Sequence, residues 1–157
     1  MRNRTRRLLL WCAATDSTFA LARQRDRTVL AGKCIHCKRK LAVDLEGNAL
    51  SHETVEHIVP RTHGGTDAVE NLAIACARCN QGKGVRQDPR PWSDPGLQAV
   101  IATLQARRAE RMREPPEGLE LPPRPGAPEP EPEADDGPVP RTGRKSRSRA
   151  ASRRRKR

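Results

Sequence analysis

The clearest periodic pattern of apolar residues follows a Pro-Trp-Ser-Asp-Pro sequence at 91–95. Asp94 is a suitable helix N-cap there, and Pro95 fits the first turn of a helix. The pattern predicts a helix within residues 91–113. The positive charges of the arginines near the end of this helix interact favourably with its dipole. The apolar residues recur at the i, i+3, i+4, i+7 spacing of one helix face: Leu97, Val100, Ile101 and Leu104.

Short β-branched or apolar runs occupy the middle of the chain. The pattern of residues 54–59 predicts a strand that ends at Pro60. The Thr-His-Gly-Gly sequence at 62–65 predicts a loop. Residues 72–75 predict a second short strand, after which a helix begins. The order strand, long loop, strand, helix indicates a small α+β fold for residues 32–90.

The two ends of the chain differ from this core in composition. Residues 1–31 are basic with apolar clusters, and they fit either a helix or a strand that caps the core. Residues 114–140 hold ten of the fourteen prolines and eight acidic residues, which predicts a disordered linker. Residues 141–157 form a tail rich in Arg, Lys and Ser, which we also expect to be disordered. The sequence thus divides into five segments: 1–31, 32–90, 91–113, 114–140 and 141–157.

The charge of the chain indicates a polyanionic partner. The net charge is +12, and residues 141–157 carry ten basic residues and no acid. Because residues 114–140 carry a net charge of −7, residues 1–113 retain +9. The region predicted to fold is therefore basic by itself, as nucleic-acid-binding proteins commonly are.

The apolar content and the cysteines bear on the expected location of this protein in the cell. No stretch approaches the roughly 20 apolar residues of a membrane span, so no membrane partner is expected. The apolar run that begins at residue 8 is short for a secretory signal. Four of the five cysteines fall in two C-x-x-C pairs, a usage that fits a reducing, cytoplasmic compartment better than an oxidising one. The sequence does not indicate an oligomeric state.

The paired cysteines predict a structural zinc site. Two C-x-x-C turns about 40 residues apart offer four thiolates, enough to close a tetrahedral shell with no open position for substrate. With so few bulky apolar residues in the chain, such a metal would supply much of the folding energy. The predicted ligands are Cys34, Cys37, Cys76 and Cys79. Cys12 is expected to be a buried thiol and His36 a surface residue.

The segment between the cysteine pairs holds residues suited to phosphodiester hydrolysis. His57 can act as a general base, since a histidine pKa ordinarily lies near neutrality. Glu56 precedes it, so on a strand the two side chains point to opposite sides unless the backbone twists. Asn80 follows the second cysteine pair and offers an amide oxygen to a hard cation such as Mg²⁺. Zinc would hold Asn80 in place relative to the strand.

The sequence EHIVPRTHGGTDAVENLAIACARCNQGKG resembles the HNH endonucleases. Their pattern has an acidic residue with His, then Pro, Gly-Gly, Asn-Leu, C-x-x-C followed by His or Asn, and Lys. The resemblance covers roughly residues 32–86, including the upstream cysteine pair. The matching residues are Glu56, His57, Pro60, Gly64, Gly65, Asn71, Leu72, Cys76, Cys79, Asn80 and Lys83.

The resemblance implies a ββα-metal fold with one catalytic divalent ion, Mg²⁺ or Mn²⁺, besides the zinc. By its position in the family's pattern, His57 would be the general base. Asn71 would brace the loop and orient that histidine. Glu56 and Asn80 would bind the ion, and the products would carry 5′-phosphate and 3′-hydroxyl ends. Both ligand positions depart from the commoner Asp and His of the family. The family also suggests a bacterial or phage source.

Several functions are consistent with these residues. A DNA endonuclease is the leading interpretation, and the alternatives are a non-catalytic zinc-finger module that binds nucleic acid and an RNA-cleaving nuclease. We expect phosphate contacts from three basic residues: Arg61, Lys83 and Arg86. His52 and His63 are expected to be loop residues, with His63 near enough to contact phosphate.

Overall fold

The computed structural model describes residues 2–126, which form a small α+β structure with two antiparallel sheets. The β1-β2-β3 sheet is followed in the chain by a β4-β5 hairpin, on which α2 packs. This architecture confirms the fold class that the sequence predicts. The elements are α1 (Arg2–Ala14), β1 (Ala20–Gln24), β2 (Arg27–Lys33), β3 (Lys40–Asp44), β4 (Glu53–His57), β5 (Leu72–Cys76), α2 (Ala77–Arg86) and α3 (Pro95–Arg111).

The β4-β5 hairpin and α2 reproduce the predicted order of strand, long loop, strand and helix. The two strands pair antiparallel with Glu56 opposite Ala73 and His57 opposite Leu72. All five residues of β5 are buried, which explains why this strand reads as a continuous apolar run. The loop between the strands contains two 3₁₀ turns, Arg61–His63 and Val69–Asn71.

Gly65 allows the loop after β4 to fold tightly against the strand. A Cβ atom at this position would lie 1.8 Å from the carbonyl oxygen of Val59, so no side chain fits. The Gly65 amide instead donates to the carbonyl of Pro60 at 3.0 Å. The second glycine of the Gly-Gly pair is therefore required by a close backbone approach.

The predicted C-terminal helix is confirmed as α3. The Asp94 side chain accepts a hydrogen bond from the Leu97 amide at 2.9 Å, and Pro95 opens the helix. The apolar face that the periodicity identified is turned inward, with Leu97, Ile101 and Leu104 buried. Arg108, also buried on α3, donates to the carbonyls of Thr15 and Val69, so the helix fixes the loop that leads into β5.

The N-terminal segment, whose secondary structure the sequence left open, contains a helix and two strands. Leu8, Leu9 and Leu10 of α1 are buried, and the helix contacts β3, β4 and β5. Phe19 is fully buried against Gly32 of β2, where a Cβ atom would lie 2.2 Å from the ring. This segment therefore forms part of the core.

The first part of the predicted linker lies on the folded body. The indole nitrogen of Trp11 donates to the carbonyl of Pro122 at 2.9 Å, and Leu119 and Leu121 pack against the core. Arg124 pairs with Glu70 at 2.6 Å. The rest of the linker and the basic tail lie outside the described residues. Within the described part of the chain, no helix is long and apolar enough to cross a membrane.

Candidate active site and metal centre

The four predicted zinc ligands come together in the structure. Their sulfur atoms all lie within 4.8 Å of one another, and the Sγ atoms of Cys37 and Cys76 are 3.8 Å apart. Four thiolates around one zinc ion at about 2.3 Å would be separated by about 3.8 Å, so the cluster fits that ion. Two of the cysteines, Cys34 and Cys76, are buried.

Backbone hydrogen bonds shape the two cysteine turns. The amide of Cys34 donates to the Arg39 carbonyl at 2.9 Å, and Lys38 closes the first turn with a φ of 61°. The Cys76 amide donates to the sulfur of Cys34 at 3.4 Å, which links the turns directly. Cys76 is the N-cap of α2, so this cluster fixes the start of the helix that carries Asn80.

The thiols of the cluster differ in their pKa values because their surroundings differ. A hydrogen bond from the backbone of Arg39 lowers the pKa of Cys37 to about 7. Burial, together with the neighbouring sulfurs, raises the pKa of Cys79 to about 12. Four thiols this close cannot all ionise without a compensating charge, and a divalent metal supplies one.

A cleft of about 300 Å³ lies at the end of β4, beside the first turns of α2. Three of the residues predicted for catalysis line it, namely Glu56, His57 and Asn80, and so does Arg61. Asp88, which follows α2, lines it as well and was not predicted. The structure therefore brings three of the four residues predicted for catalysis together at one cleft.

Glu56 is buried and both of its carboxylate oxygens are paired. Oε1 lies 2.9 Å from the Lys83 ammonium, and Oε2 lies 3.0 Å from Nε2 of His36. The carboxylate is only 1% exposed, so these partners replace the water it has lost. The prediction that His36 is a mere surface residue is wrong, because the cysteine turn directs its ring at Glu56.

Lys83 differs from its predicted role as a phosphate contact. Its side chain is 4% exposed, and besides Glu56 its ammonium contacts Asp88 at 2.9 Å and donates to the His57 carbonyl at 3.0 Å. Two of the three ammonium donors are thus used by His57 and Asp88, and the ion pair with Glu56 holds the ammonium on the buried side of the helix. Lys83 thus pairs with two carboxylates that line the cleft, Glu56 and Asp88.

His57 follows Glu56 at the end of β4 and also lines the cleft, but its ring pairs with a different carboxylate. Its Nε2 lies 2.9 Å from Oδ1 of Asp67, in the loop between β4 and β5. Asp67 also pairs with the guanidinium of Arg4 on α1. Partial burial acts to raise the pKa of Asp67, but hydrogen bonds from His57 and Arg4 and the positive charge of Arg4 hold it below its usual range. The carboxylate is therefore ionised at neutral pH.

Asn71 braces the loop that carries Asp67. Its Oδ1 accepts from the Val59 amide at 2.8 Å, and its Nδ2 donates to the carbonyls of Val59 and Thr66 at 3.2 and 2.9 Å. The side chain does not line the cleft. Thr66 directly precedes Asp67, the residue that contacts His57. Asn71 therefore influences the position of His57 indirectly, through Asp67.

Asn80 is held by its amide nitrogen. Nδ2 donates to Oγ1 of Thr54 and to the carbonyl of Val55, both at 3.0 Å. These contacts with β4 use both protons of the amide group. Within residues 2–126 no group donates to its Oδ1 atom, which can accept another partner in the cleft.

The remaining predicted residues are placed as follows. Arg61 lines the cleft and is exposed, whereas the Arg86 guanidinium turns back to the Gly82 carbonyl at 3.1 Å. His63 contacts the Asp88 carbonyl at 3.1 Å and packs on Trp92. Cys12 is fully buried, as predicted, and burial raises its pKa to about 12.

Residues 34–86 match the HNH endonuclease family. The chain carries an HNH endonuclease domain. No curated protein and no solved structure matches the chain. The matched segment includes both cysteine pairs, the β4-β5 hairpin and α2 up to its last residue, so it contains Glu56, His57, Arg61 and Asn80 of the cleft but not Asp88. Arg4, in contrast, contacts Asp67 from outside the domain.

Proposed function

We propose that this protein is a metal-dependent endonuclease that hydrolyses phosphodiester bonds in DNA. The observation that carries the proposal is the cleft in which Glu56, His57 and Asn80 meet within an HNH domain. A module that only binds nucleic acid has no need for a histidine, a carboxylate and an amide oxygen at one cleft. The net charge of +9 on residues 1–113 suits a polyanionic substrate.

His57 is the proposed general base. The Asp67 carboxylate can only accept a hydrogen bond, so the pairing at 2.9 Å places the proton of the neutral imidazole on Nε2. Nδ1 is then unprotonated and can take a proton from water. As the water attacks phosphorus, the negative charge of Asp67 stabilises the imidazolium that forms.

Glu56 and Asn80 are the proposed holders of a catalytic divalent ion, Mg²⁺ or Mn²⁺. Carboxylate and amide oxygens are the donors that hard cations prefer, and the Oδ1 atom of Asn80 is available in the cleft. Such an ion would stabilise the negative charge that develops on the leaving 3′-oxygen. Lys83 and His36 orient the Glu56 carboxylate for this role. Arg61, exposed at the cleft, is the proposed phosphate contact.

A metal-by-substrate panel tests the proposed function. The purified full-length protein with its zinc is incubated with supercoiled plasmid DNA, or with an RNA of several hundred nucleotides, in Mg²⁺, Mn²⁺, Ni²⁺ or EDTA. We expect plasmid nicking or linearisation in Mg²⁺ or Mn²⁺ and none in EDTA. DNA binding without cleavage in every metal would instead identify a binding module. Cleavage of RNA alone would assign the other substrate.

Substitution of Asp67 tests how His57 is positioned. Asp67→Asn keeps the size of the side chain but removes its charge, so the imidazolium loses its stabilising partner. We expect the single-turnover cleavage rate to fall by about tenfold to hundredfold, the range for losing a partner that orients a functional ligand, with little change in DNA affinity.

Two further variants separate positioning from structure. Asp67→Glu retains the charge and should recover part of the rate. Arg4→Gln leaves the His57 contact in place and should cost much less than Asp67→Asn. Equal rates for wild type and Asp67→Asn would show that the aspartate does not assist His57.

A further inference from the structure

A second concave surface lies outside the HNH cleft, on the β1-β2-β3 sheet. This sheet groove has a volume of about 580 Å³ and is open to solvent. Small residues from the three strands, Ala22, Ala31 and Ala42, form its floor. Three cationic residues line it: Arg23, Lys33 and Lys40.

The cations of the sheet groove are exposed and uncompensated. Arg23, Lys33 and Lys40 make no ion pair with any residue in the range 2–126 that the structure describes. The carboxylate that lines the groove, Glu53, is buried, and it already accepts from the amides of Ala42 and Ser51 at 3.0 and 2.7 Å. The charge offered to solvent here is therefore positive.

The placement of two lysines strengthens the case for an anionic ligand. Lys33 of β2 and Lys40 of β3 are directly opposite each other in the antiparallel register. Directly opposed side chains have Cβ atoms about 5 Å apart, and like charges in that position are unfavourable. A phosphate between the two ammonium groups would replace this repulsion with two attractive contacts.

Strand β4 connects the sheet groove with the HNH cleft. Glu53, at the start of β4, lines the groove, and His57, at its end, lines the cleft. Four residues of extended chain span about 13 Å, and one strand of B-DNA rises about 3.4 Å per nucleotide, so this separation corresponds to about four nucleotides.

We propose that the sheet groove binds the sugar–phosphate backbone of the DNA substrate about four nucleotides from the bond that is cleaved. The inference rests on the proposed nuclease function, since it assigns the groove to the same substrate. Lys33 and Lys40 contact one phosphate. These contacts do not distinguish one base from another. They position the duplex so that the bond to be cleaved lies at the cleft.

The salt dependence of DNA binding tests this proposal. Lys33→Gln/Lys40→Gln is compared with the wild type in binding a fluorescent 30-base-pair duplex from 50 to 300 mM KCl, without added divalent metal. Each lost phosphate contact should reduce the slope of log K against log salt by about 0.9. We expect a reduction of about 0.9 in the double variant, because the two lysines contact one phosphate. Affinity at 100 mM KCl should fall by about tenfold or more.

A control variant outside the groove separates the groove from a general effect of lost positive charge. Arg6→Gln removes one exposed cation from α1, away from the groove and the cleft, and should leave the slope unchanged. A double variant that folds, as judged by its melting temperature, but keeps the wild-type slope and affinity would overturn the proposal. Because binding is measured without cleavage, a reduced slope supports the groove even if the protein fails to cut DNA.

Discussion

Removal of zinc is expected to unfold this protein. Structural zinc sites contribute about 10 to 16 kcal/mol of apparent binding free energy at neutral pH, which is as large as the whole stability of a typical domain. Here the cysteine cluster joins the turn between β2 and β3 to the start of α2, and the core contains few bulky side chains. Dialysis against a strong chelator should therefore abolish the cooperative thermal transition seen by circular dichroism.

Single cysteine substitutions make the same prediction without a chelator. Cys76→Ser removes a buried ligand that is also the N-cap of α2, so we expect loss of zinc and of the folded state at room temperature. Cys12→Ala is the matched control, because this thiol is fully buried but lies outside the cluster. It should retain one zinc per chain and lose only about 1 kcal/mol. A chelated protein that still melts cooperatively at the wild-type temperature would contradict the structural role of the metal.

Loss of His57 should have the largest effect on activity. Removal of a general base typically costs between about a hundredfold and ten-thousandfold in rate. His57→Ala should therefore reduce the single-turnover rate of plasmid cleavage by at least about a hundredfold. The melting temperature should change little, because the imidazole is partly exposed and leaves no cavity in the core.

His63→Ala is the control for this variant. His63 contacts the Asp88 carbonyl and Trp92 at the edge of the site, without a place in the proposed proton transfer. We expect its rate to remain within a few-fold of the wild type. Equal loss of activity in both variants would indicate damage to the loop instead of loss of a base. A fully active His57→Ala protein would show that the assigned mechanism is wrong.

Local signals in the sequence were sufficient for much of the fold. The spacing of Leu97, Ile101 and Leu104 predicted the buried face of α3, and Asp94 caps that helix as expected. The cysteine spacing predicted a cluster that the structure assembles from two distant turns. These predictions succeeded because each depends on a periodicity, a cap or a pair of ligands only a few residues apart.

The contacts that tune the candidate site could not be predicted in this way. Asp67 reaches His57 across a loop of irregular backbone, and its other partner, Arg4, is 63 residues away. His36 was assigned to the surface because its cysteine neighbours suffice for the metal, but the folded turn directs the ring at Glu56. Such pairings depend on how β4, α1 and the cysteine turn pack together.

Lys83 shows how a residue type can suggest the wrong environment. A lysine in a basic chain usually lies in solvent, where it is free to contact phosphate. In this helix it falls one turn after Asn80, on the side of α2 that packs against β4, and the buried Glu56 carboxylate compensates its charge. The pair could be inferred only once the helix and the strand were placed together.

The chemistry of the DNA ends tests the central claim most directly. Attack of water on phosphorus with departure of the 3′-oxygen leaves a 5′-phosphate and a 3′-hydroxyl, the two groups that DNA ligase joins. Plasmid nicked by the wild-type protein in Mg²⁺ or Mn²⁺ should therefore be resealed by ligase without end repair, and His57→Ala should produce no nicks to seal. Nicks that ligase cannot close, or no nicks in any divalent metal, would contradict the account.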